Sequence, residues 1–371
     1  MRQKACIISQ FLYFCVQIYK PTYFQIIMMK NNLFIVALFL MTGLFAACSD
    51  DKTEDTSYVN PFVEVGINHP AFVVCQGTDK STFTIVDWEN NNTLNKSTDI
   101  GLYAQNGVVC KNRLFVAING GNCVSAFDNS LDLLKSIPLN APQSVCTDGE
   151  HVFAVANDSI WILDAGNLQV VKGELAGHTA FGCTYSDGYV FVNVGRTWGQ
   201  SEGGNTVVKF DAKTLEKVFE FRIGNNPYNQ ITADSEGNVF TVCTTYPDQG
   251  EIYRIEPNNG VSLWARGSYI AVKGDTLLIV DAPQGMATGY YAYSTRTALM
   301  PIDVPELQNT ANLPQYPQFI AVNPKNHHIY LGEYNYYDMD AQGGSLYHLD
   351  NDARLLKKLA VGAGPYAIIF P

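Results

Sequence analysis

The sequence predicts an all-β chain, a seven-bladed β-propeller whose ring is closed by the C-terminal strand joining the first blade. Three observations carry that expectation. Seven apolar, strand-like phrases each run into a polar turn: Thr84-Ile85-Val86-Asp87, Ser125-Ala126-Phe127-Asp128, Trp161-Ile162-Leu163-Asp164, Val208-Lys209-Phe210-Asp211, Tyr253-Arg254-Ile255-Glu256, Tyr291-Ala292-Tyr293-Ser294 and Tyr347-His348-Leu349-Asp350. Their last residues lie 36 to 56 apart, near 44 on average, which is the period of four-stranded propeller blades. Helical periodicity is almost absent, and many short strands without helices demand a sandwich, a barrel or a propeller.

The elements justify themselves in order. The first repeat opens abruptly at Ala71-Phe72-Val73-Val74 and lacks an inner strand. Six further strand signals precede the later phrases, at residues 114–117, 152–155, 189–192, 239–242, 277–280 and 329–332. Each is β-branched or aromatic and bounded by Gly, Asn or Asp. The chain ends on a surplus strand, Tyr366-Ala367-Ile368-Ile369-Phe370, that has no blade of its own. Joining the two ends completes blade one and removes an exposed edge that invites aggregation. Blade boundaries are expected near residues 105, 141, 181, 227, 268 and 315, with the blade ending at Ser294 the least regular.

Ahead of the propeller, expected over residues 70–371, the chain reads as a signal region (1–48, with Met29 the better start) and a flexible acidic tether (49–69). Lys30 supplies positive charge, and residues 33–45 have the length of a signal h-region. Leu44-Phe45-Ala46-Ala47-Cys48 then closes in two small residues and a cysteine, so Cys48 is the expected lipidation site. A spanning helix needs ~20 apolar residues, more than this segment offers. Residues 49–56 are polar, acidic and poor in large apolar side chains, as a tether requires. Of 24 basic and 35 acidic residues, four bases and no acid precede Cys48, leaving 20 against 35 and a net charge of −15. That charge repels phosphate backbones and excludes nucleic acid as a partner. It also repels anionic bilayer surfaces, so membrane contact is expected only through the lipid.

Chemistry-bearing motifs are few. Six cysteines remain after Cys48, and Cys110, Cys146 and Cys183 fall 36 and 37 residues apart. Matched positions in neighbouring blades are expected to point in the same sense, as free, buried core residues. No Cys-x-x-Cys, Gly-x-Ser-x-Gly, His-Glu-x-x-His or phosphate-binding glycine loop occurs, so no catalytic residue, metal ligand or cofactor is assigned. His327-His328 precedes a strand on which adjacent residues face opposite sides, and it reads as a solvated turn pair. Asp338-Met339-Asp340-Ala341-Gln342-Gly343 is a faint calcium-loop pattern, but Leu349 stands where its closing Glu belongs and a hairpin turn fits better.

The loops that emerge on one face carry more. The loops between second and third strands bring Arg196, Trp198, Tyr246, Met286, Tyr334 and Tyr336 to that face, and the loops opening each blade bring Tyr103, Gln105, Gln143, His178, Tyr228, Gln230, Tyr316 and Gln318. Amides and phenols repeated around one opening suit a large, polar, partly planar ligand. Trp198, Tyr228, Tyr246, Tyr316 and Tyr336 are the expected anchors, with Gln143, Gln230 and Gln318 as hydrogen-bonding partners. Aromatics in long exposed loops cost solubility unless used, although single members also fit plain strand-end capping.

The closing phrases Phe221-Arg222-Ile223-Gly224-Asn225-Asn226-Pro227 and Leu359-Ala360-Val361-Gly362-Ala363-Gly364-Pro365 resemble those of YncE-like propellers. The ending, with Val322-Asn323-Pro324, Ile329-Tyr330-Leu331-Gly332 and Gly343-Gly344-Ser345-Leu346-Tyr347, is similar to a branch carried by surface lipoproteins of Bacteroidetes. The acidic stretch after Cys48 resembles their surface-export signal. Within that branch the BtuG-type proteins capture cobalamin, so the resemblance implies a corrinoid as the small-molecule ligand. It further implies handover to a TonB-dependent outer-membrane transporter, from a body lipid-anchored on the cell exterior. Gln76-Gly77-Thr78-Asp79-Lys80 departs from the longer Gly- and Asn-rich phrase of those relatives. Two other classes stay open: a protein-interaction propeller of an outer-membrane complex, and a lyase or cyclotransferase using a pair such as His178 with Glu333.

Overall fold

The computed structural model describes residues 60–77, 79–96, 100–196, 204–244, 249–297, 301–334 and 343–371. Their strands form seven four-stranded antiparallel sheets, the blades of a ring. Blade one holds β1 (Pro70–Cys75), β2 (Thr82–Asp87) and β3 (Thr93–Lys96). Blade two is β4 (Ala104–Cys110), β5 (Arg113–Ile118), β6 (Cys123–Phe127) and β7 (Leu133–Pro138). Blade three is β8 (Pro142–Thr147), β9 (His151–Ala156), β10 (Ser159–Asp164) and β11 (Gln169–Leu175). Blade four is β12 (Thr179–Ser186), β13 (Tyr189–Gly195), β14 (Thr206–Asp211) and β15 (Lys217–Arg222). Blade five is β16 (Pro227–Ala233), β17 (Val239–Cys243), β18 (Glu251–Ile255) and β19 (Val261–Arg266). Blade six is β20 (Tyr269–Lys273), β21 (Thr276–Asp281), β22 (Gly289–Ser294) and β23 (Pro301–Ile302). Blade seven is β24 (Pro317–Val322), β25 (Ile329–Tyr334), β26 (Gly343–Leu349) and β27 (Leu355–Gly362). The last strand, β28 (Pro365–Ile369), pairs with β1 and becomes the inner strand of blade one.

The inner strands of blades two to seven begin within two residues of the boundaries expected from sequence. Each packs on the next around the axis, and β24 meets β28, which meets β4. Blade six is the irregular one. Its outer strand is two residues long, and a short helix, Pro305–Gln308, and a 3-10 turn, Thr310–Asn312, precede blade seven. Leu307 and Leu313 from this insertion are buried between blades six and seven, which accounts for the longest spacing, from Ser294 to Asp350.

The core is divided among the blade interfaces. Seven hydrophobic clusters are found among the described residues, and each lies between two successive blades. Every middle strand is thus covered on both faces. This explains why β1, Pro70-Ala71-Phe72-Val73-Val74-Cys75, is a continuous apolar run rather than an alternation.

The repeated aspartate has a structural task. Asp128 Oδ1 accepts the Ser130 and Asp132 N–H groups at 2.9 Å each. Asp164 accepts those of Gly166 and Asn167 at 2.7 and 2.9 Å, and Asp211 those of Lys213 and Thr214 at 2.9 and 2.8 Å. Asp87 and Asp350 repeat the pattern, and Ser294 substitutes its hydroxyl. Each side chain closes the turn into the outer strand by satisfying backbone donors. Those donors hold the Asp164 and Asp211 carboxyls below the usual carboxylate range.

Several expectations are corrected. Cys146 and Cys183 do not point in parallel: their thiols meet between blades three and four, and burial with Cys183 alongside pushes the Cys146 thiol well up. All six cysteines of the described residues are free. The end of the expected tether, residues 60–69, packs on blade one, because Phe62 and Ile67 are apolar and buried against its core. Cys48, the signal region, the start of the tether and residues 338–342 of the calcium-like pattern lie outside the described residues. His327 is exposed in its turn, but His328 is half-buried and paired: its Nδ1 lies 2.8 Å from His348 Nε2, across the hairpin of blade seven.

His348 seals the junction of blades seven and one. Its Nδ1 lies 2.6 Å from Asn91 Oδ1 of blade one, and its ring stacks on Tyr330 at 4.5 Å. Burial, and then His328 beside it, lower its pKa to about 4. The unfolded chain, with histidine near 6.5, takes up a proton first as pH falls. Stability supplied by neutral His348 is therefore whole above pH 6.5 and lost on the way down to pH 4. Between pH 7 and pH 5 the unfolding free energy is expected to drop by about 2 kcal/mol. Urea denaturation at the two pH values measures it, and equal midpoints would refute a neutral, buried His348.

Candidate functional site

The site is built by irregularities at the opening ends of the inner strands. Six of the seven inner pairings slip register there. The slips fall between Ala104 and Gly107, Pro142 and Ser144, Ala180 and Cys183, Pro227 and Ile231, Pro317 and Phe319, and opposite Val74 and Cys75. The residues stepped over include Gln105, Gln143, Tyr228, Gln230, Gln318 and Tyr366. A bulge lifts its residue out of the ladder and re-aims the side chain, and rims and binding sites are where bulges concentrate. Four of these strands are preceded by a left-handed residue: Tyr103, Ala141, Asn226 and Gly364, with φ of 54, 47, 51 and 62°.

Blade five carries the longest bulge, Tyr228-Asn229-Gln230, and its neighbours hold it in place. Asn193 Nδ2, buried on β13, donates to the Tyr228 carbonyl at 2.6 Å and the Gln230 carbonyl at 3.3 Å, while Thr241 Oγ1 donates to Asn193 Oδ1 at 2.8 Å. Gly182 of blade four permits the close approach: a Cβ there would stand 2.9 Å from the Tyr228 carbonyl oxygen and 2.7 Å from that of Asn229. The Tyr228 ring rests against Phe181 at 4.5 Å.

Beside this bulge lies a cavity of about 280 Å³. Blade five supplies Tyr228, Asn229, Gln230, Val242, Thr244 and Gly250; blade six supplies Ser268, Tyr269, Ala282, Pro283 and Gly285. Gln318 of blade seven and Tyr366 of blade one complete the wall. Asn229 Nδ2 donates to the Tyr366 hydroxyl at 2.9 Å, tying blade five to blade one, three blades away. Gln230 Oε1 accepts from Ile270 N at 3.4 Å, and Gln318 Nε2 donates to the Pro317 carbonyl at 3.3 Å. Burial raises the Tyr228 and Tyr366 phenols, which keeps both neutral. Such a wall offers stacking surface and uncharged hydrogen bonds.

The expected ring is therefore divided. Tyr228, Gln230 and Gln318 line the cavity; Met286 and Tyr316 stand on adjoining loops of blades six and seven, and Tyr334 at the end of β25. Tyr103, Gln105, Gln143, His178 and Arg196 belong to blades two to four and do not line it. Gln105 turns back to the Tyr103 carbonyl at 3.1 Å, and the Arg196 backbone N–H binds Asn226 Oδ1 at 2.9 Å. Trp198, Tyr246 and Tyr336 lie outside the described residues. Ser268 and Tyr269 join the site although sequence reasoning did not select them, and Asn229 and Tyr366, which the sequence places on blade-opening loops of the same face, line it as well. Ser268 and Tyr269 open blade six without the Pro-Gln phrase of other blades, so only their place in the repeat marked them.

His178 and Glu333 sit on blades four and seven, which are not neighbours. Glu333 is engaged on both oxygens, by the Gln315 N–H at 2.7 Å on one side and by the Tyr347 hydroxyl and Lys358 Nζ at 2.8 and 3.1 Å on the other. It fixes the turn that leads to Gln318. Among the described residues no group of three or more His, Cys, Asp or Glu gathers as a metal site.

No protein-family model matches the chain, and no curated protein matches it. Solved structures do. A functionally unknown protein from Desulfotomaculum acetoxidans superposes with a TM-score of 0.58 at 13% identity, over 82% of this chain and 100% of that one. Hydrazine synthase of Kuenenia stuttgartiensis gives 0.54 at 14% identity, over 70% of this chain and 87% of that one. At such identities the likeness is one of fold alone.

Proposed function

We propose that this propeller is a cell-surface lipoprotein, anchored through Cys48, that binds a small molecule on the face bearing the cavity, and that the ligand is a corrinoid passed on to a TonB-dependent outer-membrane transporter. The observation that carries the binding role is the set of bulges at the blade openings, three of which, in blades five, seven and one, carry Tyr228, Gln230, Gln318 and Tyr366 of the wall of one cavity. A pocket with an apolar wall and a few convergent polar groups is the usual form of a small-molecule site. The corrinoid and the transporter rest on the resemblance of the closing phrases to the BtuG-type branch. A corrin is broader than the cavity, so it lies across the rim with one amide-fringed edge inserted.

Calorimetry with cyanocobalamin tests the ligand. A saturable one-to-one heat, with colour retained on the protein after gel filtration, is expected. No heat and no retained colour at micromolar protein removes the corrinoid and leaves the propeller.

A further inference from the structure

We infer that Glu333 is a positioning residue for the cavity, latching loops of blades six and seven into one lip; the inference rests on the cavity being the binding site. Glu333 is buried and does not line the cavity, so it acts from one step behind the wall. Its cross-strand partner is Pro317, and Gln318, stepped over in the slip that follows, does line the cavity. The loop that opens blade seven, Pro314-Gln315-Tyr316-Pro317, begins and ends in proline and so holds only two backbone N–H groups. Both go to a single oxygen: Glu333 Oε1 accepts from Gln315 N at 2.7 Å and from Tyr316 N at 3.4 Å.

The carbonyls of the same loop hold blade six. Ala287 N donates to the Gln315 carbonyl at 2.8 Å, and the Tyr290 hydroxyl donates to that of Pro314. Ala287 closes the loop that brings Ala282, Pro283 and Gly285 to the cavity, so the two loops are bonded to each other and, through Gln315 and Tyr316, to one carboxylate. The other oxygen, Oε2, is fixed by the Tyr347 hydroxyl and Lys358 Nζ, which aim the side chain. Burial opposes the Glu333 charge, but the Tyr347 hydroxyl, the Gln315 N–H and Lys358 outweigh it and hold the carboxyl below its usual range. Hydrogen bonds to an ionised acceptor are stronger than neutral ones, and donors that lose such a partner are costly to leave unpaired. Contact residues keep their geometry only when hydrogen bonds behind them lock it. For Pro283, Gly285 and Gln318 that support converges on Glu333.

The test combines amide hydrogen exchange over residues 282–288 and 314–318 with calorimetric titration of cyanocobalamin, on the full protein at pH 7. Glu333→Leu is expected to speed exchange in both segments at least about tenfold, to leave β9 unchanged and to weaken cyanocobalamin about tenfold. Glu333→Gln, which keeps an acceptor for the loop, is expected to stay within about threefold of the unaltered protein in both readouts. Lys358→Met leaves Tyr347 aiming the carboxylate, so it should lower the melting temperature while lip exchange and affinity stay within about twofold. Unchanged lip exchange in Glu333→Leu overturns the inference, as does exchange that rises equally in β9, which marks a merely structural role. A loosened lip with undiminished affinity overturns the positioning role. An unaltered protein that binds no cyanocobalamin refutes the corrinoid instead, and the latch is then decided by exchange alone.

Discussion

Deletion of residues 365–371 is expected to unfold the whole propeller rather than to fray one blade. Among the described residues β28 is the partner of β1 on the side of the axis, through Phe72↔Ile369, Val73↔Ile368 and Val74↔Ala367. Ile369 is buried in the cluster between blades one and two, and Phe370 lies 5.4 Å from the Tyr330 ring of blade seven. Each large apolar side chain buried this way is worth about 1.5–3 kcal/mol, and a domain's entire margin is only about 5–15 kcal/mol. Removal also bares β1, six buried residues long, as an apolar edge open to other chains. In a ring whose cores lie between neighbours, losing one interface opens the circle and weakens the blades on either side. The truncated chain should show no cooperative thermal transition and should elute as aggregate. A monomer melting within a few degrees of the intact protein would contradict closure by β28.

Tyr228→Ala is expected to weaken cyanocobalamin about thirtyfold, a loss near 2 kcal/mol, while Tyr103→Ala changes affinity less than about twofold. The two residues stand at the openings of blades five and two; both were placed on the binding face from sequence, Tyr228 among the anchors. Only Tyr228 borders the cavity, held against Phe181 with its carbonyl anchored by Asn193. Titration of both variants decides which half of the rim binds. The reverse order of effects moves the site to blades two to four.

The fold was legible because its devices are local. A middle strand covered on both faces must be an apolar run, and a turn that needs two backbone donors capped selects Asp at its head, so blade after blade repeats both signals. Ring closure was legible from the surplus strand at residues 366–370. The site was legible only in part. Gln105, Gln143, Tyr228, Gln230 and Gln318 were marked by their place after the blade-opening turn, and the bulges explain that recurrence. Which of them share a cavity depends on a three-residue bulge in blade five, on the missing side chain of Gly182 and on Tyr366 reaching Asn229 from blade one. None of these is a pattern within one repeat. The meeting of Cys146 with Cys183 was hidden for a related reason: the slip between Ala180 and Cys183 breaks the blade-to-blade equivalence that equal spacing suggests.

A crystal structure of the protein grown with cyanocobalamin is the most direct measurement of the binding claim. The expected result is a corrin ring lying over blades five to seven, one amide-bearing edge in the cavity against Asn229 and Tyr228, and no bond from the protein to the cobalt. A corrin on the opposite face of the ring, or crystals that take up no ligand, would contradict it.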